Sequence, residues 1–153
     1  MTTDKPEPKK RSQHTPRAEG MAKVLAATKR LLETRSPKDV TLRDVASESG
    51  HAPRLIIAWF GGKGGLYAAV SESIFADLAE SGELYFGDIM FRSDVAIAFA
   101  VLNYMQMMHP EETARLHKGS VQVTLSTRFQ NRLGKTRDEA DVIARRIMAL
   151  ALG

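Results

Sequence analysis

The chain has 153 residues, with 22 Lys and Arg against 18 Asp and Glu, and a formal net charge of +4 at pH 7. That length is typical of about one domain, and no segment approaches the roughly 18 consecutive apolar residues that a membrane-spanning helix needs. The charged N-terminus lacks the apolar segment of a signal peptide, and the absence of cysteine excludes disulfides and thiolate chemistry. We therefore expect a cytoplasmic protein that does not bind membranes.

Basic residues are concentrated in the first part of the chain. Residues 1–66 contain 13 Lys and Arg against seven Asp and Glu, a net charge of +6, whereas residues 67–153 carry a net charge of −2. Residues 1–15 are almost devoid of apolar side chains, so they cannot bury enough surface to offset the entropy of ordering. This composition predicts a disordered basic arm over residues 1–15.

The first two helices are predicted from periodicity and capping residues. An apolar stripe at helical spacing predicts a first helix over about 16–34. Thr41 can then cap a second helix that begins at Leu42, and Asp44 is placed to complete a capping box. Gly50 ends this helix, because glycine readily adopts the left-handed conformation of a C-terminal cap.

A third short helix follows after a two-residue turn. Pro53 suits the first turn of a helix, and Gly61-Gly62 ends the segment, which predicts a helix over Pro53–Phe60. Lys63 opens a longer amphipathic helix. Two short helices joined by a glycine turn match the helix-turn-helix unit of DNA-binding proteins, and we predict such a domain over residues 16–65.

The rest of the chain also has helical patterns. Ser93 starts a segment that is apolar on nearly all sides, which is typical of the middle of a helical bundle. Pro110 opens a short helix, residues 121–133 predict another, and Thr136 with Glu139 forms a capping box before the last helix. The pattern therefore predicts an all-α protein.

The segment from Thr41 to Val70 resembles the TetR family of tetracycline-repressor-like transcriptional regulators. The frame T-x-R-D-V-A-x-x-x-G stands at residues 41–50, and the apolar residues 55–57, an aromatic pair, two glycines, Lys63 and a Leu-x-x-Ala-Val helix follow in the family's order. The similarity extends over about residues 18–74.

Two positions depart from the family pattern. Ile57 stands where many members carry a tyrosine that contacts a phosphate, and Trp59 stands where they carry histidine.

The resemblance implies the architecture of the whole chain. It implies an N-terminal three-helix helix-turn-helix DNA-binding domain, followed by a short helical-bundle ligand-binding and dimerisation region over residues 66–153. The family usually dimerises through two C-terminal helices, and we expect this chain to be shortened at its C-terminus, ending after the first of them.

On this basis we predict a sequence-specific DNA-binding transcriptional regulator. It is expected to be a ligand-responsive repressor that binds double-stranded DNA at a near-palindromic operator as a homodimer and responds to a small-molecule effector. The alternative is a non-enzymatic interaction protein, or a truncated regulator that pairs with a longer relative.

Several side chains are candidates for polar contacts with DNA. Arg54 is the best base reader, because a guanidinium can bond O6 and N7 of guanine together; the alternative is an ordinary surface arginine. Thr41 and Lys63 lie at helix starts and match backbone-contacting positions of the family, and Arg43 is a phosphate or base candidate. Trp59 either donates its indole N–H to a phosphate or packs against the first helix.

Apolar contacts and the arm complete the predicted interface. A helix as apolar as the third cannot bury every side, so we expect Leu55 or Ile57 on the DNA face. The N-terminal basic residues either lie along phosphates or in a minor groove, or only keep the chain soluble. The tip residues that are expected near thymine methyl groups are His51, Ala52 and Pro53. The basic residues of the arm and its boundary are Lys9, Lys10, Arg11 and Arg17.

No catalytic pattern is found. The glycines around Lys63 lack the Ser or Thr and the preceding strand of a phosphate-binding loop, and the four histidines show no metal-ligand or triad pattern. We therefore predict no enzymatic activity, no metal and no cofactor. Methionine and aromatic residues of the second region either line an effector pocket or form ordinary core. They are Phe91, Phe99, Tyr104, Met105, Met107, Met108 and Phe129.

Overall fold

The structure is a computed structural model that describes residues 16–80, 92–118 and 120–152. Within these ranges the regular elements are all helices, so the predicted all-α fold is confirmed. The predicted arm, residues 1–15, lies outside the described residues. The helices are α1 Arg17–Leu32, α2 Leu42–Ser49, α3 Pro53–Phe60, α4 Lys63–Glu80, α5 Ser93–Met108, α6 Pro110–Lys118, α7 Ser120–Leu133 and α8 Arg137–Leu152.

The second helix begins and ends where its capping residues predict. The backbone N–H of Asp44 donates to the Thr41 hydroxyl at 3.2 Å, and the Asp44 carboxylate accepts from the Thr41 backbone N–H at 2.8 Å. Gly50 ends the helix in the left-handed conformation, with φ of 71°. The capping box satisfies two donors that the first turn of a helix would otherwise leave free.

The third helix is the eight-residue segment that its proline and glycines predict. Pro53 occupies its first position, and Gly61 ends it with φ of 82° while its N–H donates to the Ile57 carbonyl at 2.7 Å. The corner that follows brings two backbones together, because a Cβ on Gly65 would lie 1.7 Å from the carbonyl oxygen of Phe60. Glycine at this position therefore lets α4 start directly against the end of α3.

One apolar core joins α1, α2, α3 and α4. The buried members of this part of the core include Val24 of α1, Val45 of α2, Ile56 of α3, and Leu66 and Val70 of α4. Each such side chain contributes roughly 1.5–3 kcal/mol when it is fully buried. The core thus fixes the helix-turn-helix pair between α1 and α4.

The remaining helices pack on α4 and α5. Helix α5 packs mainly on α4, and its buried residues lie on one broad face. Its opposite face, with Ala96, Ala100 and Asn103, is exposed, so the central position that the apolar pattern predicts is not the one seen. The last helices α7 and α8 make the most extensive contact of any helix pair in the described residues. Thr136 and Glu139 form the predicted capping box at the start of α8. None of the described helices is long and apolar enough to cross a membrane.

Candidate nucleic-acid interface

One side of α3 is open to solvent. Ile56 is 0% exposed and anchors the helix to the core, whereas Leu55 is 40% exposed and Ile57 is 49% exposed. The sequence predicted at least one of these two on the outer face, and the structure places both there. Arg54 is exposed in the first turn of the same helix. The outer face of α3 therefore combines one guanidinium with two branched apolar side chains.

The arginines near the helix-turn-helix differ in whether they have an acidic partner. Arg30 pairs with Glu48 at 2.9 Å, and Arg35 pairs with Asp44 at 3.1 Å. Arg43 and Arg54 form no ion pair with any residue that the structure describes. The second position of α2 is Arg43, and the second position of α3 is Arg54.

A cation at the start of a helix is placed unfavourably in the free protein. The N-terminal end of a helix carries a partial positive charge, so a cation there is repelled and an approaching anion is attracted. The first turn of α3 contains no acidic residue, and its N-cap Ala52 makes no side-chain hydrogen bond. The start of α3, with Arg54, is thus arranged to attract an anionic group.

The start of α2 differs because it already has its own anion. The Asp44 carboxylate accepts hydrogen bonds from the Thr41 backbone and side chain and pairs with Arg35, and these contacts lower its pKa to about 2. The Thr41 hydroxyl itself donates to Asp44 at 2.8 Å. In this structure, the predicted phosphate contact Thr41 is therefore occupied as a helix cap.

His51 and Trp59 form an aromatic contact behind the tip of the helix-turn-helix. Their ring centroids lie 5.5 Å apart at an angle of 61°, and His51 Nδ1 lies 2.9 Å from the Ser49 carbonyl. The indole of Trp59 also lies against α1, because a Cβ on Gly20 would be 2.6 Å from its Cη2 atom. The packing alternative for Trp59 is thus the arrangement seen, and the ring is only half-buried.

Lys63 lies where the helix-turn-helix meets the bundle. Its Nζ atom is 3.4 Å from the Lys38 carbonyl oxygen, 4.8 Å from the ring centroid of Tyr104 and 5.4 Å from that of Tyr67. The Tyr67 hydroxyl donates to the Pro37 carbonyl at 2.7 Å. Burial raises the pKa of the Tyr67 phenol above its usual range, so it stays a neutral donor. Sequence reasoning singled out Lys63 but missed both ring contacts.

The other candidates lie at the edge of this surface. Ala52 and Pro53 are exposed at the tip, and Arg17 is exposed at the start of α1. The residues of the predicted arm, Lys9, Lys10 and Arg11, lie outside the described residues. Among the residues that the structure describes, no group of three His, Asp or Glu is arranged to hold a metal ion.

The residues proposed for an effector pocket differ in how far they are buried. Met105 is fully buried, Phe99 and Tyr104 are partly buried, and Met107 and Met108 are 82% and 60% exposed. Phe91 lies outside the described residues. One open groove of about 380 Å³ lies at the start of α8, away from these residues. It is lined by Lys135, Asp138, Glu139, Val142 and Ile143.

Residues 24–70 match the family described as bacterial regulatory proteins, tetR family. Over these residues the chain is a TetR-family helix-turn-helix domain. The match covers α2, α3 and most of α1, together with the corner and the first part of α4. A chain that carries this domain is accordingly a DNA-binding transcriptional regulator.

A solved structure supports the fold beyond the helix-turn-helix domain. The TetR family repressor AlkX from Dietzia sp. strain DQ12-45-1b, implicated in biodegradation of n-alkanes, matches with a TM-score of 0.59 and 22% sequence identity. The match covers 92% of this chain and 85% of that chain. At this identity the likeness concerns the fold alone. No curated protein matches the chain in sequence.

Proposed function

We propose that this TetR-family regulator is a ligand-responsive repressor that acts in the cytoplasm, without catalysis, and binds a near-palindromic operator as a homodimer. The observation that carries the proposal is the outer face of α3, where Arg54 is exposed and has no ion pair among the described residues while Leu55 and Ile57 face solvent beside it. In helix-turn-helix proteins the second helix enters the major groove, and its N-terminal residues contact base edges.

The side chains of this surface have different roles in the proposed complex. Arg54 reads guanine, because two of its N–H groups can donate to O6 and N7 of one base. Leu55 and Ile57 contact the methyl groups of thymine. Arg43, exposed at the start of α2, and Lys63, at the start of α4, bind phosphates. At the start of α4, whose first turn has no acidic residue, the helix dipole adds to the positive charge of Lys63.

Further residues complete the proposed surface. Ala52 and Pro53 pack against the groove wall at the tip, and His51 holds the tip in place through Trp59. The indole N–H of Trp59 makes no hydrogen bond within the described residues and is available to a phosphate. Thr41 contributes to the proposed surface by capping the start of α2. The remaining cations that we assign to phosphates or the minor groove are Arg17 and, in the arm, Lys9, Lys10 and Arg11.

A dimer supplies the second recognition helix. We assign residues 16–65 to DNA binding and residues 66–153 to dimerisation and ligand binding. The α7 and α8 pair supports this assignment, because apolar side chains at three of its positions are exposed in the single chain. These are Val123, Leu133 and Val142. Two copies related by a two-fold axis would read half-sites about one helical turn, roughly 34–36 Å, apart or a multiple of it.

An effector would act through the bundle. The hydroxyl of Ser71, on α4, is fully buried and has no hydrogen-bond partner among the described residues. A buried hydroxyl without a partner is costly, so a ligand that bonds to it would gain free energy. We therefore propose that a small molecule binds beside Ser71, against the apolar surface of α5, and alters the spacing of the two recognition helices.

Selection of bound sequences from a random duplex DNA library tests the central proposal. The full chain is used at about 0.15 M salt, near physiological ionic strength. Enrichment of an inverted repeat is the expected result, and the repeat gives the half-site spacing directly. Binding that depends on salt but enriches no sequence would contradict the proposal and favour an interaction protein. The Arg54→Ala variant, selected in parallel, is expected to lose enrichment at one guanine position.

A further inference from the structure

The ammonium group of Lys63 is surrounded by three separate elements of the chain. The Lys38 carbonyl oxygen, in the loop before α2, accepts from Nζ at 3.4 Å. The rings of Tyr67 on α4 and Tyr104 on α5 lie 5.4 and 4.8 Å from it, measured to their centroids. Both distances are within the roughly 6 Å over which a cation is attracted to an aromatic face.

These contacts join the DNA-binding helices to the bundle. The Tyr67 hydroxyl donates to the Pro37 carbonyl oxygen at 2.7 Å. The Tyr67 and Tyr104 rings pack edge to face, with their centroids 5.6 Å apart. The start of α4 also fits closely against the end of α5, since a Cβ on Gly64 would lie 3.0 Å from Nδ1 of His109. The ring of Tyr104 therefore contacts both Lys63 and Tyr67 at this junction.

A lysine side chain that is held in place binds a phosphate more tightly than one that is free to move. Lysine has a long side chain with many rotamers, and most of that freedom is lost when its ammonium binds a phosphate. A side chain that is already held near its bound position loses less freedom, so the complex is tighter. The ring of Tyr104 supplies this restraint from outside the DNA-binding helices.

We propose that Tyr104 is a positioning residue for DNA binding: its ring holds the Lys63 ammonium at the start of α4, ready for a phosphate. This inference rests on the proposed phosphate contact of Lys63. Tyr104 itself touches no DNA in this arrangement. Because Tyr104 lies on α5, a movement of α5 would change how firmly the protein binds the DNA backbone.

The test is a double-mutant cycle on DNA affinity. Tyr104→Leu removes the aromatic face and is expected to weaken binding about two- to fivefold, which corresponds to an ordinary cation–π contribution. The loss applies to all sequences alike. Tyr104→Phe keeps the ring and restores affinity. In a Lys63→Met background, Tyr104→Leu is expected to cause no further loss of DNA affinity, because the ammonium group that the Tyr104 ring holds is absent.

A matched control separates positioning from general damage to α5. Phe99→Leu truncates another ring of the same helix, which packs against Phe75 with centroids 6.4 Å apart. Its effect on DNA affinity should be the same with and without Lys63. In the free protein, the ε-methylene protons of Lys63 should shift in the NMR spectrum on Tyr104→Leu, since they lose the ring current, and should not shift on Phe99→Leu.

The outcomes distinguish this inference from the proposed function. If Lys63→Met binds DNA like the wild type, with an unchanged salt dependence, Lys63 contacts no phosphate. The proposed phosphate contact of Lys63 and the positioning role of Tyr104 are then both overturned. If Lys63→Met lowers the salt slope by about one, as loss of a phosphate contact predicts, and Tyr104→Leu still weakens the Lys63→Met variant, only the role of Tyr104 is overturned.

Discussion

The indole ring of Trp59 occupies the space that any side chain at position 20 would need. A Cβ built on Gly20 would lie 2.6 Å from Cη2 of Trp59 and 3.1 Å from its Cζ3. Gly20 is in the first turn and a half of α1, and Trp59 is near the end of α3. Their contact therefore fixes the distance between the bracing helix and the proposed recognition helix.

Gly20→Ala is expected to destabilise the fold, although alanine usually stabilises a helix. The substitution gains about 0.5–1 kcal/mol of helix propensity, but the added methyl overpacks the contact at a cost of about 1–3 kcal/mol. We expect a net loss of about 1 kcal/mol in the free energy of unfolding, measured by urea denaturation. In a Trp59→Phe background the smaller ring should remove the closest contact and leave only His51 Nε2, at 3.2 Å, so that the loss caused by Gly20→Ala becomes smaller. A stabilising effect in the wild-type background would show that the indole moves aside freely.

Gly65→Ala should be more severe, because the obstacle is backbone. The new Cβ would lie 1.7 Å from the Phe60 carbonyl oxygen, so the corner between α3 and α4 would have to open. We expect a loss of about 3 kcal/mol in the free energy of unfolding. Gly64→Ala is the matched control: its Cβ would meet the side chains of His109 and Glu112, at 3.0 and 3.3 Å, and these can rotate away. Equal losses from both variants would contradict the argument.

The bounds of the helices could be predicted from the sequence because their ends are set by local chemistry. The capping box of Thr41 with Asp44 and the glycine at position 50 involve residues a few positions apart, and so does the segment from Pro53 to Gly61. Such signals need no knowledge of the tertiary structure. The predicted and observed bounds of α2 and α3 agree for this reason.

The contacts between distant residues could not be predicted in the same way. Lys63 and Tyr104 are 41 positions apart, and no short pattern indicates that α4 and α5 bring them together. The exposure of α3 was likewise only partly predicted. Periodicity shows that one face of α3 must be exposed, but the width of that face depends on how many helices pack around α3. With Ile56 as its only fully buried residue, α3 leaves both Leu55 and Ile57 outside.

Arg54→Ala is expected to alter sequence preference more than affinity for DNA in general. Loss of a bidentate contact with guanine should cost about 1–3 kcal/mol on the preferred site and little on other sequences. Arg43→Ala, at the same position of α2, should instead weaken all sequences alike and reduce the salt slope by about one. Titration of labelled duplexes at several salt concentrations measures both effects. Identical profiles for the two variants would mean that Arg54 reads no base.

The apolar side chains of α3 predict a dependence on thymine methyl groups. Replacing thymine by uracil removes one methyl from the major groove and leaves base pairing intact, so a contacted position should lose about 0.8 kcal/mol, or about fourfold in affinity. Ile57→Ala should abolish this difference at one position of the half-site, and Arg54→Ala should leave it in place. The measurement is the ratio of dissociation constants for the two duplexes. If no thymine in the selected site is sensitive to the replacement, Leu55 and Ile57 contact no methyl group.

The capping carboxylate of α2 predicts how stability changes in acid. Hydrogen bonds from the Thr41 backbone and hydroxyl, and then from Arg35, lower the pKa of Asp44 from 3.8 to about 2. The folded protein thus binds fewer protons here than the unfolded chain, so the contribution of Asp44 is complete above about pH 4 and is lost as the pH falls towards 2. Asp44→Asn should reduce the loss of stability over that range, as measured by urea denaturation at each pH. Thr41→Ala should reduce it only partly, because the backbone N–H, the largest cause of the shift, remains; an unchanged pH dependence in Asp44→Asn would rule out this role for the capping box.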